Sequence, residues 1–301
     1  YTAVDTNTIF ALHAGNLTGK SMVFKPDEWT ILRTVITQDS AGYITFRPWF
    51  RLNNGGSSPL GANKTGFQYF LFNNLAYLQK QNDVAFDYAN QFLYMYSTTI
   101  PTGVSIGNVY TLMNIGVRQN ITVKNINFTY GGVYGIYPTH TQSITIDSCS
   151  FNYCAAQAIG GYRITNFTIT NCNFDNILST AIYVRNVSSP YTNVNILNNS
   201  ITNNGLMFGM GSYQENTDYS AMGISSFNGL NVKYNYIDNI GDAGIKFGGS
   251  GVRVKFNWIS RVCKKTADRA NVYTFEEFAD TSEVFTDREV DSNFCSNSIA
   301  N

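Results

Sequence analysis

A short strand motif recurs along the last two thirds of the chain and constrains its fold more than any other feature. Its aliphatic residues are 21, 23, 23, 42, 21 and 27 residues apart, and the interval of 42 equals two periods, or one period with an insertion at 206–219. Self-similarity at a period of about 22 residues is typical of solenoids, in which each repeat stacks on its neighbours. The motif occurs at Asn114-Ile115, Gly135-Ile136, Ala158-Ile159, Ala181-Ile182, Gly223-Ile224, Gly244-Ile245 and Asn271-Val272.

Each repeat also contains a second alternating strand and a third apolar position. Three short strands per turn of about 22 residues predict an all-β chain folded as a parallel β-helix, with equivalent residues stacked about 4.8 Å apart. A β-sandwich is the alternative, but sandwich strands do not keep one inward register over successive turns. The second strands are Ile121-x-Val123, Ile144-x-Ile146, Phe167-x-Ile169, Val194-x-Ile196, Leu230-x-Val232 and Val252-x-Val254, and the third positions are Phe128, Phe151, Phe174, Ile201, Ile237 and Ile259.

The corner between the second and third strands changes from cysteine to asparagine along the chain. Stacked asparagines in this line would form an inward amide ladder that satisfies buried backbone groups. The cysteines of the line are interpreted as buried small side chains, because directly stacked positions give poor disulfide geometry. The chain has five cysteines and no CxxC or CxxH motif, which disfavours a zinc site. The corner residues are Ile126, Cys149, Cys172, Asn199, Asn235, Asn257 and Asn293.

The composition excludes several classes of partner. The 20 Lys+Arg residues balance the 20 Asp+Glu residues, which argues against broad electrostatic contact with nucleic acid or an anionic membrane. No apolar run approaches the roughly 20 residues of a membrane-spanning helix. Hydrophobic residues make up 44% of the chain, enough to build a core, and charged residues only 13%. Uncharged Asn, Ser, Thr and Tyr carry the polarity, as is typical of a β-rich, turn-rich protein.

The first 108 residues lack the period and are predicted to form a separate β-rich subdomain. Short strands are expected around the Lys25-Pro26-Asp27 turn, a short helix over 67–79 and a hairpin over 86–92. The solenoid is predicted to span 109–301. Because solenoids need capped ends and the last coil stops midway, we expect the natural chain to be longer.

The repeats resemble those of right-handed parallel β-helix proteins of the pectate-lyase type, especially the large secreted bacterial polysaccharide-processing set. The resemblance covers roughly Val109 to Asn301 and extends more weakly to β-rich segments such as GKSMVFKPDEWTILRTVI. It implies a right-handed solenoid, a polysaccharide substrate and a secreted or cell-surface location. It leaves the glycan, the reaction and the oligomeric state open.

In the proteins that the chain resembles, the substrate groove lies over the strand that precedes the long turns, here the Gly/Ala-Ile strand. Side chains directly after the aliphatic anchors should point outward, namely Tyr137, Gly160, Tyr183, Ser225, Lys246 and Tyr273. Two residues further stand Arg118, Thr139, Tyr162, Arg185, Phe227, Gly248 and Phe275, and the entering turns add Asp242, Asp268 and Arg269. The substrate-binding candidates from these sets are Tyr162, Tyr183, Arg185, Phe227, Arg269 and Tyr273.

Two catalytic schemes fit these residues. Hydrolysis, the preferred scheme, needs two carboxyl groups about 5 to 9 Å apart, which Asp242 and Asp268 on adjacent coils would supply. Elimination at a uronate needs a cation, for which Lys246, Arg185 and Arg269 are candidates, and a base, for which Lys246, Tyr183 and Tyr273 are candidates. We expect no cofactor, since no dense acidic cluster is present, although calcium stays open because related lyases often use it. A non-catalytic glycan-binding or adhesin role is the third interpretation, because the fold serves it without chemistry.

Simpler interpretations apply to several of these residues. Asp242 and Asp268 would equally serve as turn-capping carboxylates, and Lys246 as a solvated strand residue. His13 and His140 are interpreted as surface histidines, the latter in a Pro-Thr-His turn.

Overall fold

The computed structural model describes residues 2–4, 16–24, 32–40, 43–48, 69–87, 90–185, 193–207, 220–266, 270–274 and 285–296. The chain divides into two compact units, Tyr1–Ser105 and Ile106–Asn301. Among the described residues both units consist of β-strands, apart from one 3-10 helix at Leu75–Tyr77. No helix in the described part is long and apolar enough to cross a bilayer.

The first unit is antiparallel. Its strands are β1 (Thr2–Val4), β2 (Ser21–Phe24), β3 (Leu32–Ser40), β4 (Tyr43–Pro48), β5 (Tyr69–Phe72), β6 (Val84–Asp87) and β7 (Phe92–Met95). The first five form a sheet in the order β1-β4-β3-β2-β5, whose buried side chains include Met22, Ile36 and Ile44. β6 and β7 form the predicted hairpin, with Asp87 opposite Phe92.

The predicted helix over 67–79 is wrong for the residues that the structure describes there. This segment contains β5 and the 3-10 helix, whose N-cap Asn74 accepts a hydrogen bond from the backbone N of Ala76 (3.2 Å). β5 pairs with β2 from Tyr69 opposite Phe24 to Phe72 opposite Ser21. Strand pairing therefore overrides the local pattern, because the ladder supplies the backbone hydrogen bonds that a helix would have made internally.

The second unit is a parallel solenoid whose coils contribute up to three strand runs each. The first stack of runs lies in β8 (Thr111–Gly116), β11 (Tyr134–Asp147), β13 (Gln157–Thr170), β15 (Thr180–Arg185), β18 (Met222–Lys233), β20 (Ile245–Lys255) and β22 (Val272–Thr274). The second stack consists of β9 (Gln119–Lys124), β16 (Val194–Leu197), β23 (Arg288–Asp291) and the later halves of β11, β13, β18 and β20. The third stack consists of β10 (Asn127–Thr129), β12 (Ser150–Asn152), β14 (Asn173–Asp175), β17 (Ser200–Asn204), β19 (Tyr236–Ile240), β21 (Trp258–Ser260) and β24 (Phe294–Ser296).

The inward positions of the second and third stacks coincide with the predicted repeat. In the second stack, successive partners are Ile121, Ile144, Phe167, Val194, Leu230 and Val252. In the third stack they are Phe128, Phe151, Phe174, Ile201, Ile237, Ile259 and Cys295. Most of these side chains belong to one continuous buried core, so the predicted all-β parallel β-helix is confirmed.

The predicted amide ladder is also present. Asn199 Nδ2 donates to Asn235 Oδ1 (3.0 Å), Asn235 Nδ2 to Asn257 Oδ1 (2.9 Å), and Asn257 Nδ2 to Asn293 Oδ1 (2.8 Å). The backbone N of Cys172 donates to Asn199 Oδ1 (2.9 Å), so the thiol line continues into the ladder. All five cysteines lie in the described part of the chain and are free thiols, as the stacking geometry predicts for Cys149 and Cys172.

The first-stack anchors are wrong by two residues in two coils. Met113 rather than Ile115 lies opposite Ile136, and Met222 rather than Ile224 lies opposite both Ile182 and Ile245. The interval of eight residues from Ile136 to Ile144 and from Ile159 to Phe167 also separates Met113 from Ile121 and Met222 from Leu230, and would have indicated the two methionines.

In the second case Met222 and Ile224 are both buried aliphatic residues on the inward side of β18, so the aliphatic pattern alone does not choose between them. Because Met222 is the anchor, Gly223 takes the outward position assigned to Ser225. A β-bulge follows between Ile224 and Phe227, where three steps of β18 lie opposite two steps of β20. In the first coil Gly116, not Arg118, pairs with Thr139.

Candidate functional site

The outward face of the first stack has a row of aligned residues, called the outer row below. Tyr137 pairs with Asn114, and it lies opposite Gly160 because the flanking pairs are Ile136–Ile159 and Thr139–Tyr162. The remaining members follow by direct pairing through β15, β18, β20 and β22. In order, the outer row is Asn114, Tyr137, Gly160, Tyr183, Gly223, Lys246 and Tyr273.

Large side chains and glycines alternate in the middle of this row. Tyr183 and Lys246 are separated by Gly223, so about 10 Å of sheet lies between them along the solenoid axis. Lys246 and Tyr273 are direct partners, about 4.8 Å apart. Both are half-buried, whereas Tyr183 is 8% exposed. The three predicted residues thus share one face, with an aromatic ring and an amine on the two sides of a glycine.

An aromatic cluster at the early end of the row was not predicted. The rings of Tyr134 and Tyr137 stack with centroids 4.6 Å apart, and Tyr110 meets Tyr134 edge-on at 6.0 Å. A Cβ on Gly160 would lie 2.6 Å from Tyr134 Cε1, so the Tyr134 ring lies directly over this glycine. The sequence signal for this arrangement is a pair of tyrosines three residues apart, Tyr134 and Tyr137, followed one period later by Gly160 opposite Tyr137.

A second set of outward residues lies two positions further along the same strands. Tyr162 pairs with Thr139 on one side and with Arg185 on the other, as predicted, and both side chains are half-buried. The partner of Arg185 on β18 is Ser225, whereas Phe227 pairs with Gly249 beyond the bulge. Ser225, two residues after Gly223, therefore takes the place predicted for Phe227, whose side chain lies outside the described residues.

Asp242 lies in the turn that enters β20 but is only 1% exposed. Thr266 Oγ1 donates to Asp242 Oδ1 in a short hydrogen bond, and Ser220 Oγ lies 3.4 Å from Asp242 Oδ2. On the preceding coil, Asn204 Nδ2 donates to the carbonyl oxygens of Ser179 (2.6 Å) and Ser220 (2.9 Å). A buried polar column thus ties together the turns entering β15, β18 and β20, and it holds the outer-row strands in register.

The other catalytic candidate, Asp268, and its neighbour Arg269 lie outside the described residues, as do Phe275, His13 and most of the insertion at 206–219. Within the described part, no group of three or more His, Cys, Asp or Glu side chains is arranged to hold a metal ion. The groups that the structure brings together on the outward face are therefore aromatic rings, glycines, one amine and guanidinium groups.

Comparison with known proteins gives results for the fold. A solved structure described as "Glycoside hydrolase" superimposes with a TM-score of 0.66 and 14% sequence identity, over 91% of this chain and 60% of that chain. The chain thus spans about three fifths of that protein's length, and at this identity the likeness shows the fold. No curated protein matches the sequence. Residues 103–271, more than half of the chain, match the family described as "Right handed beta helix region", and the protein belongs to that right-handed β-helix family.

Proposed function

We propose that the protein is carbohydrate-active and binds a polysaccharide along the outer row, outside the cell or at its surface. The observation that carries this proposal is the alternation of large side chains and glycines from Tyr137 to Lys246. Binding sites for polar chains combine flat apolar surfaces with a few well-placed polar groups. Tyr134, Tyr137 and Tyr273 supply ring surface and Lys246 supplies a donor, while Gly223 leaves no side chain between Tyr183 and Lys246.

Hydrolysis is the reaction we propose first, because a solved structure of this fold is described as a glycoside hydrolase. It requires two carboxyl groups about 5 to 9.5 Å apart. Asp268 is the candidate for one of them. Asp242 is the candidate for the other, although in this structure its carboxylate contacts Thr266 and Ser220 and is buried.

Elimination at a uronic acid is the second candidate, and a specific pairing favours it. Lys246 and Tyr273 are adjacent outward residues on β20 and β22. The Lys246 ammonium group would neutralise the sugar carboxylate while Tyr273, as phenolate, removes the proton from the carbon next to that carboxylate. The glycosidic C–O bond then breaks as the C=C bond forms, and the leaving oxygen takes the proton back from Tyr273. This scheme needs no second carboxyl group.

The deciding experiment incubates the full chain with neutral and uronate polysaccharides and follows reducing ends together with the ultraviolet absorbance of unsaturated products. Reducing ends alone support hydrolysis, and both signals together support elimination. Binding without either signal leaves a glycan-binding protein and rejects the enzyme. The absence of both binding and cleavage rejects the carbohydrate-active proposal.

Single-residue variants then test the catalytic roles of the candidate residues. Lys246→Met and Tyr273→Phe should each abolish elimination, whereas Lys233→Met, on the second stack, is the matched control and should not. Asp268→Asn should abolish hydrolysis without changing unfolding. If Asp242→Asn loses activity only in proportion to lost stability, Asp242 is a structural carboxylate and not a catalytic one.

A further inference from the structure

An arginine, a histidine and a tyrosine on two neighbouring coils form a cluster beside the outer row. His140 and Arg163 occupy equivalent bends of β11 and β13, between the aligned pairs Thr139–Tyr162 and Thr141–Ile164. Both residues have left-handed backbone conformations with φ of 53°, and both side chains are exposed. Tyr162 precedes Arg163 and belongs to the outward face of the first stack.

The contacts within this cluster fix the guanidinium group. Arg163 Nη1 donates to His140 Nε2 (3.3 Å), and the guanidinium carbon lies 5.1 Å from the centre of the Tyr162 ring. The imidazole meets the Tyr162 ring edge-on at 5.8 Å, and its Nδ1 lies 3.0 Å from Thr139 Oγ1. This network makes His140 Nε2 the acceptor, so Nδ1 carries the proton and donates to Thr139. The histidine engages one N–H group of Arg163, and a guanidinium group has further N–H donors for a ligand.

The ion-paired cations of the described solenoid have a different environment. Lys124, Arg253, Lys255 and Arg261 each contact a carboxylate within 3.3 Å. The contacts of Arg163 within the described residues are instead a neutral imidazole and an aromatic face. A positioned guanidinium group that contacts no carboxylate within the described residues presents a fork of N–H donors to a carboxylate, sulfate or phosphate oxyanion.

We propose that Arg163, positioned by His140 and Tyr162, is a subsite for an oxyanion substituent of the bound glycan, either a carboxylate or a sulfate. Tyr162 lies on the same strand as Gly160 of the outer row, two residues further along, so an oxyanion on Arg163 belongs to a sugar at the edge of the groove. The neighbouring Arg185, the partner of Tyr162 on β15, adds positive charge on that side. This inference rests on the proposed glycan groove and specifies an acidic glycan as its ligand.

The test measures binding of the full chain by calorimetry at low ionic strength, with two matched pairs of probes. The pairs are an alginate oligosaccharide with its carboxyl-reduced counterpart, and dextran sulfate with dextran. We expect the charged member of at least one pair to bind about tenfold more tightly than its neutral counterpart, because hydrogen bonds to charged groups are the strong ones. The pair that shows the preference identifies the oxyanion as carboxylate or sulfate.

Three variants assign that preference to the cluster. Arg163→Gln should remove it, and Tyr162→Ala should weaken it while Tyr162→Phe restores it, because the ring face holds the guanidinium group. Arg33→Gln is the matched control, since Arg33 is another exposed arginine above an aromatic ring, that of Phe72 at 5.8 Å. Thermal unfolding of each variant checks that the fold is retained.

The outcomes separate this subsite from the groove itself. Equal binding of charged and neutral glycans, or a preference that survives Arg163→Gln, overturns the subsite and leaves the groove. A preference that persists in Tyr183→Ala and Tyr273→Ala, with neutral binding also unchanged, overturns the groove and leaves the subsite. Failure of all four probes to bind overturns both.

Discussion

The corner between the second and third stacks is closed by thiols on early coils and by amides on later ones. Cys172 Sγ lies 3.7 Å from the carbonyl oxygen of Ile146 on the coil before and 3.2 Å from that of Thr170 on its own coil. Asn235 Nδ2 donates to the equivalent carbonyl oxygens, those of Ile196 (3.0 Å) and Lys233 (3.1 Å). Asn235 also donates to Asn257 on the next coil. A thiol cannot make this additional hydrogen bond, because it has one proton where the amide nitrogen has two.

The apolar residues next to the corner change at the same point. Beside the thiols, the rings of Phe128, Phe151 and Phe174 stack with centroids 5.0 and 4.9 Å apart and interplanar angles of 9° and 5°. Beside the amides, the same third-stack position holds isoleucine, as in Ile201 and Ile237. The difference teaches that one backbone path can be held either by ring stacking with weak thiol contacts or by an amide ladder with aliphatic packing.

The largest expected loss of stability lies in the early coils, the aromatic half of the solenoid, where Phe128, Phe151 and Phe174 stack. Phe151 is fully buried between Phe128 and Phe174, so Phe151→Ala should lower the free energy of unfolding by about 4 kcal/mol. Phe151→Leu, which places the aliphatic type of the later coils in the early ones, should cost about half as much. Urea denaturation of both variants measures this, and a negligible cost of Phe151→Leu would show that ring stacking contributes nothing beyond volume.

The next largest loss of stability is expected in the later coils, the amide half of the solenoid, where the asparagine ladder closes the corner. Asn235→Ala leaves the backbone N of Asn199 and the carbonyl of Ile196 without their side-chain partner in a buried corner. The free energy of unfolding should fall by about 3 kcal/mol. Asn231→Ala is the control, because Asn231 makes a similar amide contact to Asn195 (3.1 Å) on the outer surface of the second stack. A control that costs as much as Asn235→Ala would contradict a special role for the buried ladder.

Replacing a corner thiol by an amide should change the free energy of unfolding by a smaller amount. Cys172→Ala removes weak contacts and a small volume and should cost about 1.5 kcal/mol. Cys172→Asn should recover most of that loss, because the amide of Asn199 already lies in line to continue the ladder. Thermal unfolding compares the two variants. If Cys172→Asn is the less stable one, the early corner is too tightly packed for an amide.

The loss of stability at alkaline pH should also differ between the thiol-containing early coils and the amide-containing later coils. Burial raises the pKa of the Cys172 thiol from 9.0 to about 12, and that of Cys154 to about 11. The neutral thiols therefore stabilise the fold fully below pH 9, and this contribution is lost as the pH rises from 9 towards 12. The unfolding midpoint of Cys172→Asn should fall less over this range than that of the natural sequence. Identical alkaline profiles would contradict the burial of this thiol.

The smallest expected effect lies on the outer surface of the same corner. Lys124, with Asn171 and Ser148, lowers the pKa of Asp147 from 3.8 to about 2. Because the folded-state pKa is depressed, the contribution is present above pH 3.8 and is lost as the pH falls through about 2. Asp147→Asn should flatten the acid limb of the stability profile slightly, since exposed ion pairs contribute little. A variant whose acid limb is unchanged would show that the Lys124 pair does not stabilise the fold.

Much of the fold could be predicted from the sequence, and rather less of the candidate site. The second- and third-stack positions and the amide ladder were predicted correctly because each inward side chain touches its equivalents one coil above and below. The first-stack anchors at Ile115 and Ile224 were wrong because Met113 and Met222, two residues earlier on the same side of each strand, are also apolar and are the true partners. The short helix over 67–79 failed because strand partners from elsewhere in the chain decided that segment.

The sequence by itself determined the solenoid, because every coil must place apolar side chains at the same inward positions, and this requirement produces the period of the sequence. It also supplied the outward residues Tyr183, Lys246 and Tyr273, which share a face because side chains alternate along a strand. The tertiary structure alone decided that Asp242 is buried and that Arg163 lies between His140 and Tyr162. The repeat places left-handed bends at equivalent positions of successive coils, but it does not determine which outward side chains meet there, because those side chains are not confined by the shared core.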